Sequence, residues 1–162
     1  MIKLPARTGL VLVAAAIAGL ATGARAADQA HRVTDAEITA TVATLKDGLA
    51  TAPLPTGPGA VVLAARRDRD GEVEVHEPLN DELVGRSGHA VFRVGGTVAG
   101  NRQTAAGEWR GGVITGGDLY RLGPGDVLWI PAGMPHQALV GSGGSFSYLA
   151  VKFKAEPEPA TH

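Results

Sequence analysis

The chain has 162 residues, a formal net charge of −1, no cysteine and 23 glycines. That length suits one domain with one core. The missing cysteines exclude a disulfide framework and thiolate chemistry, and the near-neutral charge, without a basic patch, argues against nucleic acid as a partner.

Lys3 and Arg7 give a basic start, Gly9 to Leu20 is apolar and uncharged, and Ala24-Arg25-Ala26 is a small-x-small cleavage site. This is the pattern of a secretory signal peptide. The apolar stretch is shorter than the roughly 20 residues of a membrane span, and no twin arginine precedes it. Residues 1–26 are therefore expected to be removed, leaving a periplasmic or secreted chain of 136 residues without a stable membrane span. Losing three basic residues and no acid takes the charge from −1 to −4.

After a lead-in from Ala27, Thr34 or Asp35 is placed to cap a helix running to about Leu49, with Glu37 in its first turn. Ile38, Val42, Leu45 and Leu49 form one apolar stripe at helical spacing, which predicts packing against the domain. Ala52 to Gly59 reads as a Pro- and Gly-rich linker. From Ala60 the pattern is β. Val61 to Ala65 is a strand, Arg66 to Gly71 reads as a charged, solvated hairpin tip, and Glu72 to His76 alternates polar and apolar. Ala90 to Val94 is a further strand, and Val98 to Gly112 reads as a loop-like insertion containing Trp109. Val113 to Thr115, Asp118 to Leu122, Val127 to Ile130, Gln137 to Val140 and Ser145 to Lys154 complete the strands, followed by a polar tail over residues 155–162 expected to be disordered. Short strands at regular intervals with glycine-rich turns predict an all-β antiparallel sandwich or barrel.

The densest signal is Gly125 to His136, GDVLWIPAGMPH. Gly123-Pro124-Gly125-Asp126 is turn chemistry and Val127 to Ile130 a buried strand. Pro131 ends the ladder because it has no N–H to donate. Gly133 lets the chain double back, and His136 opens the next strand. This spacing resembles the second motif of the cupin superfamily. The resemblance implies a single jelly-roll β-barrel over residues 60–154, with one N-terminal helix after the signal peptide, and it makes His136 a metal ligand.

The first cupin motif, two histidines one residue apart and then an acid and a glycine, survives in spacing better than in residues. His76, Asp81 and Gly88 align with the second histidine, the acid and the glycine, and Glu74 stands in place of the first histidine. Glu74 and His76 share one face of a strand. If that face is the barrel interior, Glu74, His76, Asp81 and His136 form a two-His, two-carboxylate set suited to Fe(II), Mn(II) or Zn(II). In the opposite register, Val73 and Val75 face inward and the polar residues face solvent.

Trp129 and Tyr120 are candidate pocket residues, Trp129 as core or pocket wall. Trp109 is a barrel-mouth cap or a surface residue. Arg110, Tyr120 and Arg121 are possible contacts for an anionic substrate, with solvated surface as the plainer reading, and His89 and His162 read as exposed and inert. From Ala60 to Lys154 the chain is similar to a group of small exported single-cupin proteins, carried by His76-Glu77, Asp81, Gly88, Gly95-Gly96, Glu108, Arg110, Gly116-Gly117, the GDV-PAG-PH block and Tyr148 to Lys152. In that group an aromatic run leads into the position of Gly88; here Leu83-Val84-Gly85-Arg86-Ser87 stands there. Two functions follow. One is a divalent-metal-dependent enzyme (oxygenase, isomerase or lyase) acting on a small organic acid or sugar-like molecule. The other is a non-catalytic small-ligand-binding protein without a functional metal site. The resemblance also implies a homodimer.

Overall fold

The computed structural model of the chain describes residues 30–156. The expected signal peptide and most of the expected tail lie outside them. Among the described residues no helix is long and apolar enough to cross a membrane.

The chain begins with α1 (Asp35–Thr41), continues through β1 (Leu49–Leu54), β2 (Ala60–Arg67), β3 (Glu74–His76), β4 (Leu79–Gly88), β5 (Ala90–Val94), β6 (Thr97–Ala99) and β7 (Arg102–Ala105), and ends with β8 (Glu108–Arg110), β9 (Val113–Thr115), β10 (Asp118–Leu122), β11 (Val127–Ile130), β12 (His136–Leu139) and β13 (Phe146–Lys154). One sheet has the order β1-β2-β13-β4-β11 and the other β10-β5-β12-β3-β8-β7, with a separate ribbon β6-β9. The pairings are antiparallel. The core lies between the two sheets, with Leu83, Phe92, Leu128, Ile130, Phe146 and Tyr148 among its buried members. Phe146 stacks on Tyr148, and Phe92 meets both edge-on, the geometry that the aromatic quadrupole favours.

Thr34 caps α1 in a full capping box with Glu37. The helix is shorter than the stripe predicts. It ends at Thr41, and Val42 as C-cap already has a non-helical backbone. Ile38, Val42 and Leu45 still pack together, over Ala50, Ala64 and Leu149 on the outer face of the first sheet. Leu49 belongs to β1 and reaches the barrel interior instead. The expected linker is in part a strand too, since Pro53 sits in β1 opposite Leu63. β1 is an edge strand, where a residue without an N–H costs no ladder bond on the open side.

One further segment differs from expectation. The loop-like insertion from Val98 to Gly112 contains β7 and β8 and part of β6, because its short polar runs pair across tight glycine turns. The region of Leu83 to Ser87 lies within β4, a ten-residue strand. There Gly85 is required by space: a Cβ would stand 2.0 Å from the Gly123 carbonyl oxygen. Its backbone instead bonds that turn twice, Gly85 N donating to Asp126 O and Gly85 O accepting from Gly125 N, each at 2.9 Å.

Candidate metal centre

The β11–β12 turn is held in place before it presents a side chain. Gly133 has φ +76°, a conformation strained for any residue with a Cβ. Its N–H donates to the His76 carbonyl at 2.8 Å, and the Ala132 N–H donates to Asn80 Oδ1 at 3.0 Å. The turn is thereby fastened to the corner between β3 and β4. His136 follows, paired in register with Glu74 of β3.

On β3 the polar residues face the interior. Glu74 and His136 line the barrel cavity with Asp81 of β4. Val73 and Val75 are buried as well, 2% and 9% exposed, but they lie outside the barrel's core cluster. His76, Asp81 and His136 are 3%, 3% and 5% exposed. His76 Nε2 lies 3.3 Å from Glu74 Oε2 and 3.7 Å from Asp81 Oδ2. His136 Nε2 lies 4.0 and 3.7 Å from the same two oxygens. All four residues therefore converge, and the donor atoms of Glu74, His76 and His136 lie within 4.8 Å of one another.

Both imidazoles are oriented from behind. His76 Nδ1 meets Glu108 Oε2 at 2.5 Å, and His136 Nδ1 donates to the Met134 carbonyl at 3.0 Å. A neutral imidazole that donates through Nδ1 presents the lone pair of Nε2. His76 Nε2 is buried and makes no hydrogen bond in the protein. An orphan buried nitrogen of this kind asks for a partner, and a metal ion on Nε2 with a carboxylate behind Nδ1 is a recurrent arrangement. The two histidines and Glu74 thus fit a divalent ion.

The surrounding charges were harder to foresee. Lys152 Nζ lies 2.6 Å from both oxygens of Asp81, so Asp81 reaches the site already paired. Glu74 is paired twice, with Arg67 Nη2 at 3.0 Å and with Arg110. Arg67 Nε also donates to Tyr148 Oη at 3.2 Å. Arg67 is 8% exposed, not part of a solvated hairpin tip, because it faces inward at the end of β2 beside Leu63 and Ala65.

These contacts set the protonation states. Burial opposes charge on Glu74, but Arg110, the neighbouring His76 and Arg67 outweigh it and hold its carboxyl well below the ordinary range. Burial likewise opposes charge on His76, yet the hydrogen bond to Glu108 and the nearby Glu74 carboxylate move it upward on balance. For His136 burial prevails, and its pKa is lowered. Burial raises the Tyr148 phenol, keeping it neutral.

The cavity beside these groups is about 70 Å³, walled by Leu63, Leu83, Phe92, Ala138 and Ala150. Neither expected pocket aromatic lines it. Trp129 is 48% exposed because β11 turns Leu128 and Ile130 inward, and it packs on Phe153 instead. Tyr120 is 43% exposed on β10, an edge strand open to solvent. Trp109 is half-buried and donates to Glu77 Oε1 at 2.9 Å. Arg110 faces the interior, whereas Arg121 and His89 are exposed. No local sequence signal marks Arg67, Glu108 or Lys152 as part of a site, although Glu108 and Lys152 belong to the run of residues that carries the resemblance.

Comparison with known proteins agrees with this architecture. The chain is similar, at 16% identity and a TM-score of 0.56, to a double-stranded β-helix domain protein of Klebsiella pneumoniae, over 77% of this chain and 91% of that one. It is also similar to a protein of Thermus thermophilus (18%, TM-score 0.55, 75% and 96%) and to the cupin domain of Cnp3 from Schizosaccharomyces pombe (11%, TM-score 0.50, 69% of each). The chain has a cupin fold. A family model, the AraC-like ligand binding domain, matches residues 87–157. That match contains Glu108, Arg110, His136 and Lys152 of this cupin site and stops short of Glu74, His76 and Asp81. No curated protein matches the chain.

Proposed function

We propose that this cupin is a divalent-metal-dependent enzyme acting on a small molecule held in the barrel, with His76, His136 and Glu74 as the metal ligands. The observation that carries the reading is the pair of buried imidazoles with Nε2 turned toward Glu74 and Asp81, that of His76 without a hydrogen-bond partner. A bound Fe(II), Mn(II) or Zn(II) would supply Lewis acidity toward a substrate oxygen or activate water. The chain's own residues do the rest. Glu108 and the Met134 carbonyl fix the imidazole tautomers, Arg67 positions Glu74 through its Oε1, and the apolar wall keeps bulk water from the site. A small organic acid or a sugar-like molecule suits the cavity, and oxygenation, isomerisation or lyase chemistry are the reaction classes in view. The basic-apolar-cleavage pattern of residues 1–26 supports export to the periplasm, and pairing as a homodimer belongs to the same reading.

A second reading has its own observation. Lys152 Nζ lies 2.6 Å from both oxygens of Asp81, so the position aligned with the cupin acid is already neutralised by an ion pair that a metal would have to compete with. This favours a non-catalytic barrel that binds a small ligand directly. Metal content separates the two. The untagged protein is loaded in turn with Fe(II), Mn(II) and Zn(II), freed of excess metal and compared with a His76→Ala, His136→Ala double variant. Near-stoichiometric metal that the variant loses supports the enzyme, whereas no metal above the variant leaves the binding protein.

A further inference from the structure

The interior carries a charge balance that constrains what can enter it. Three cations, Arg67, Arg110 and Lys152, stand against three carboxylates, Glu74, Asp81 and Glu108, and every carboxylate already has a partner. With both imidazoles neutral, as metal ligation requires, the set sums to zero. A divalent ion on His76, His136 and Glu74 would therefore bring two uncompensated positive charges into a largely buried site, which is expensive without a counter-charge. Arginine has no accessible neutral form through which to relieve it. Arg110 stands in register with Glu74 across β3–β8 and pairs with the same Oε2 that lies nearest the two imidazoles. A metal taking that oxygen competes with Arg110 for it and frees a guanidinium fork inside the cavity.

Resting on the metal reading above, we propose that the barrel binds its metal together with a small carboxylate anion, and that Arg110 turns from Glu74 to grip the anion's carboxylate. The substrate class is thereby a short-chain acid rather than a neutral sugar. A planar guanidinium matches a carboxylate in two parallel hydrogen bonds. The apolar wall of Leu63, Leu83, Phe92, Ala138 and Ala150 suits a short carbon chain, and the cavity of about 70 Å³ admits only a compact one. Anion and metal then raise one another's affinity by the same factor, as linkage requires.

The test is a calorimetric titration with Mn(II), its free concentration fixed by a metal buffer, with and without malonate and with malonamide as the neutral isostere. Malonate is expected to tighten Mn(II) binding by about tenfold or more, and malonamide to leave it unchanged. Arg110→Gln should bind Mn(II) at least as well without malonate, because Glu74 loses a competing cation, yet lose the malonate response. Arg110→Lys, which keeps the charge but not the fork, should recover part of it, and thermal melting of each variant reports whether the barrel is intact. Mn(II) binding that ignores malonate, or an undiminished response in Arg110→Gln, overturns the inference and leaves the metal reading standing. Malonate binding equally well with and without Mn(II) overturns the coupling. Failure to bind Mn(II) at all overturns both.

Discussion

The two histidines of the site are held by different means. His136 is fixed by its own turn: Gly133 at positive φ, the Ala132 and Gly133 amides tied to β3 and β4, and Nδ1 on a backbone carbonyl two residues away. His76 is fixed by side chains gathered from afar, Glu108 from β8 and Glu74 beside it, within a mesh that includes Asp81, Lys152, Arg67 and Arg110. A backbone anchor carries no charge and leaves burial to decide the imidazole's state. A carboxylate anchor favours the imidazolium. The same residue type at one site is thus pushed in opposite directions, downward for His136 and upward for His76.

The comparison breaks hardest on the charged side. Lys152→Met leaves Asp81 buried without its cation, and removing one partner of a buried pair costs about 3–5 kcal/mol. Urea denaturation should show that loss, and Asp81→Asn added to Lys152→Met should restore most of it. A loss below about 1 kcal/mol would mean that the pair is solvated, and the mesh around His76 would lose its main support.

On the backbone side the expected cost is smaller. Gly133→Ala meets no atom within 4 Å, so only the left-handed backbone is strained, by about 1–2 kcal/mol. Gly85→Ala, by contrast, drives a Cβ against a carbonyl oxygen and should exceed it. Equal melting temperatures for the two variants would contradict the distinction drawn between conformational strain and contact.

The pH response of the metal-free protein sharpens the contrast further. The His76 pKa is raised above its ordinary 6.5, so its stabilising contribution is full below about pH 6.5 and is lost as pH rises through the folded value. The His136 pKa is lowered from 6.5, so it costs stability as pH falls below about 6.5 toward its folded value. Melting temperatures across pH 5 to 8 should therefore lose their alkaline-side decline in His76→Gln and their acid-side decline in His136→Gln. The smallest effect in this series belongs to Glu108→Gln. By weakening the anchor it should lower the His76 titration midpoint in proton NMR and leave that of His136 in place.

The same contrast explains what could be read from the sequence. His136 was legible because the turn, strand, proline and glycine that set its local backbone lie within twelve consecutive residues. Glu74 and His76 were legible only as a choice of two registers, since Val73 and Val75 are as deeply buried as the polar residues beside them, and alternation then has no solvent side to name. Lys152 meets Asp81 across 71 positions and Glu108 meets His76 across 32, and no local pattern announces such pairs. Arg67 looked like part of a hydrated run because its neighbours Asp68 to Asp70 are exposed. The strand at Val127–Ile130 and the Thr34 helix cap followed from local chemistry. The length of α1 did not, because its stripe continues to pack on the sheet after the helical backbone has ended.

The most direct measurement is X-ray absorption spectroscopy of the Zn(II)-loaded protein and its single histidine variants. The account predicts two imidazole nitrogens at about 2.0–2.1 Å from the metal, falling to one in His76→Ala and one in His136→Ala. A spectrum without imidazole scattering, or one that neither substitution alters, would contradict it.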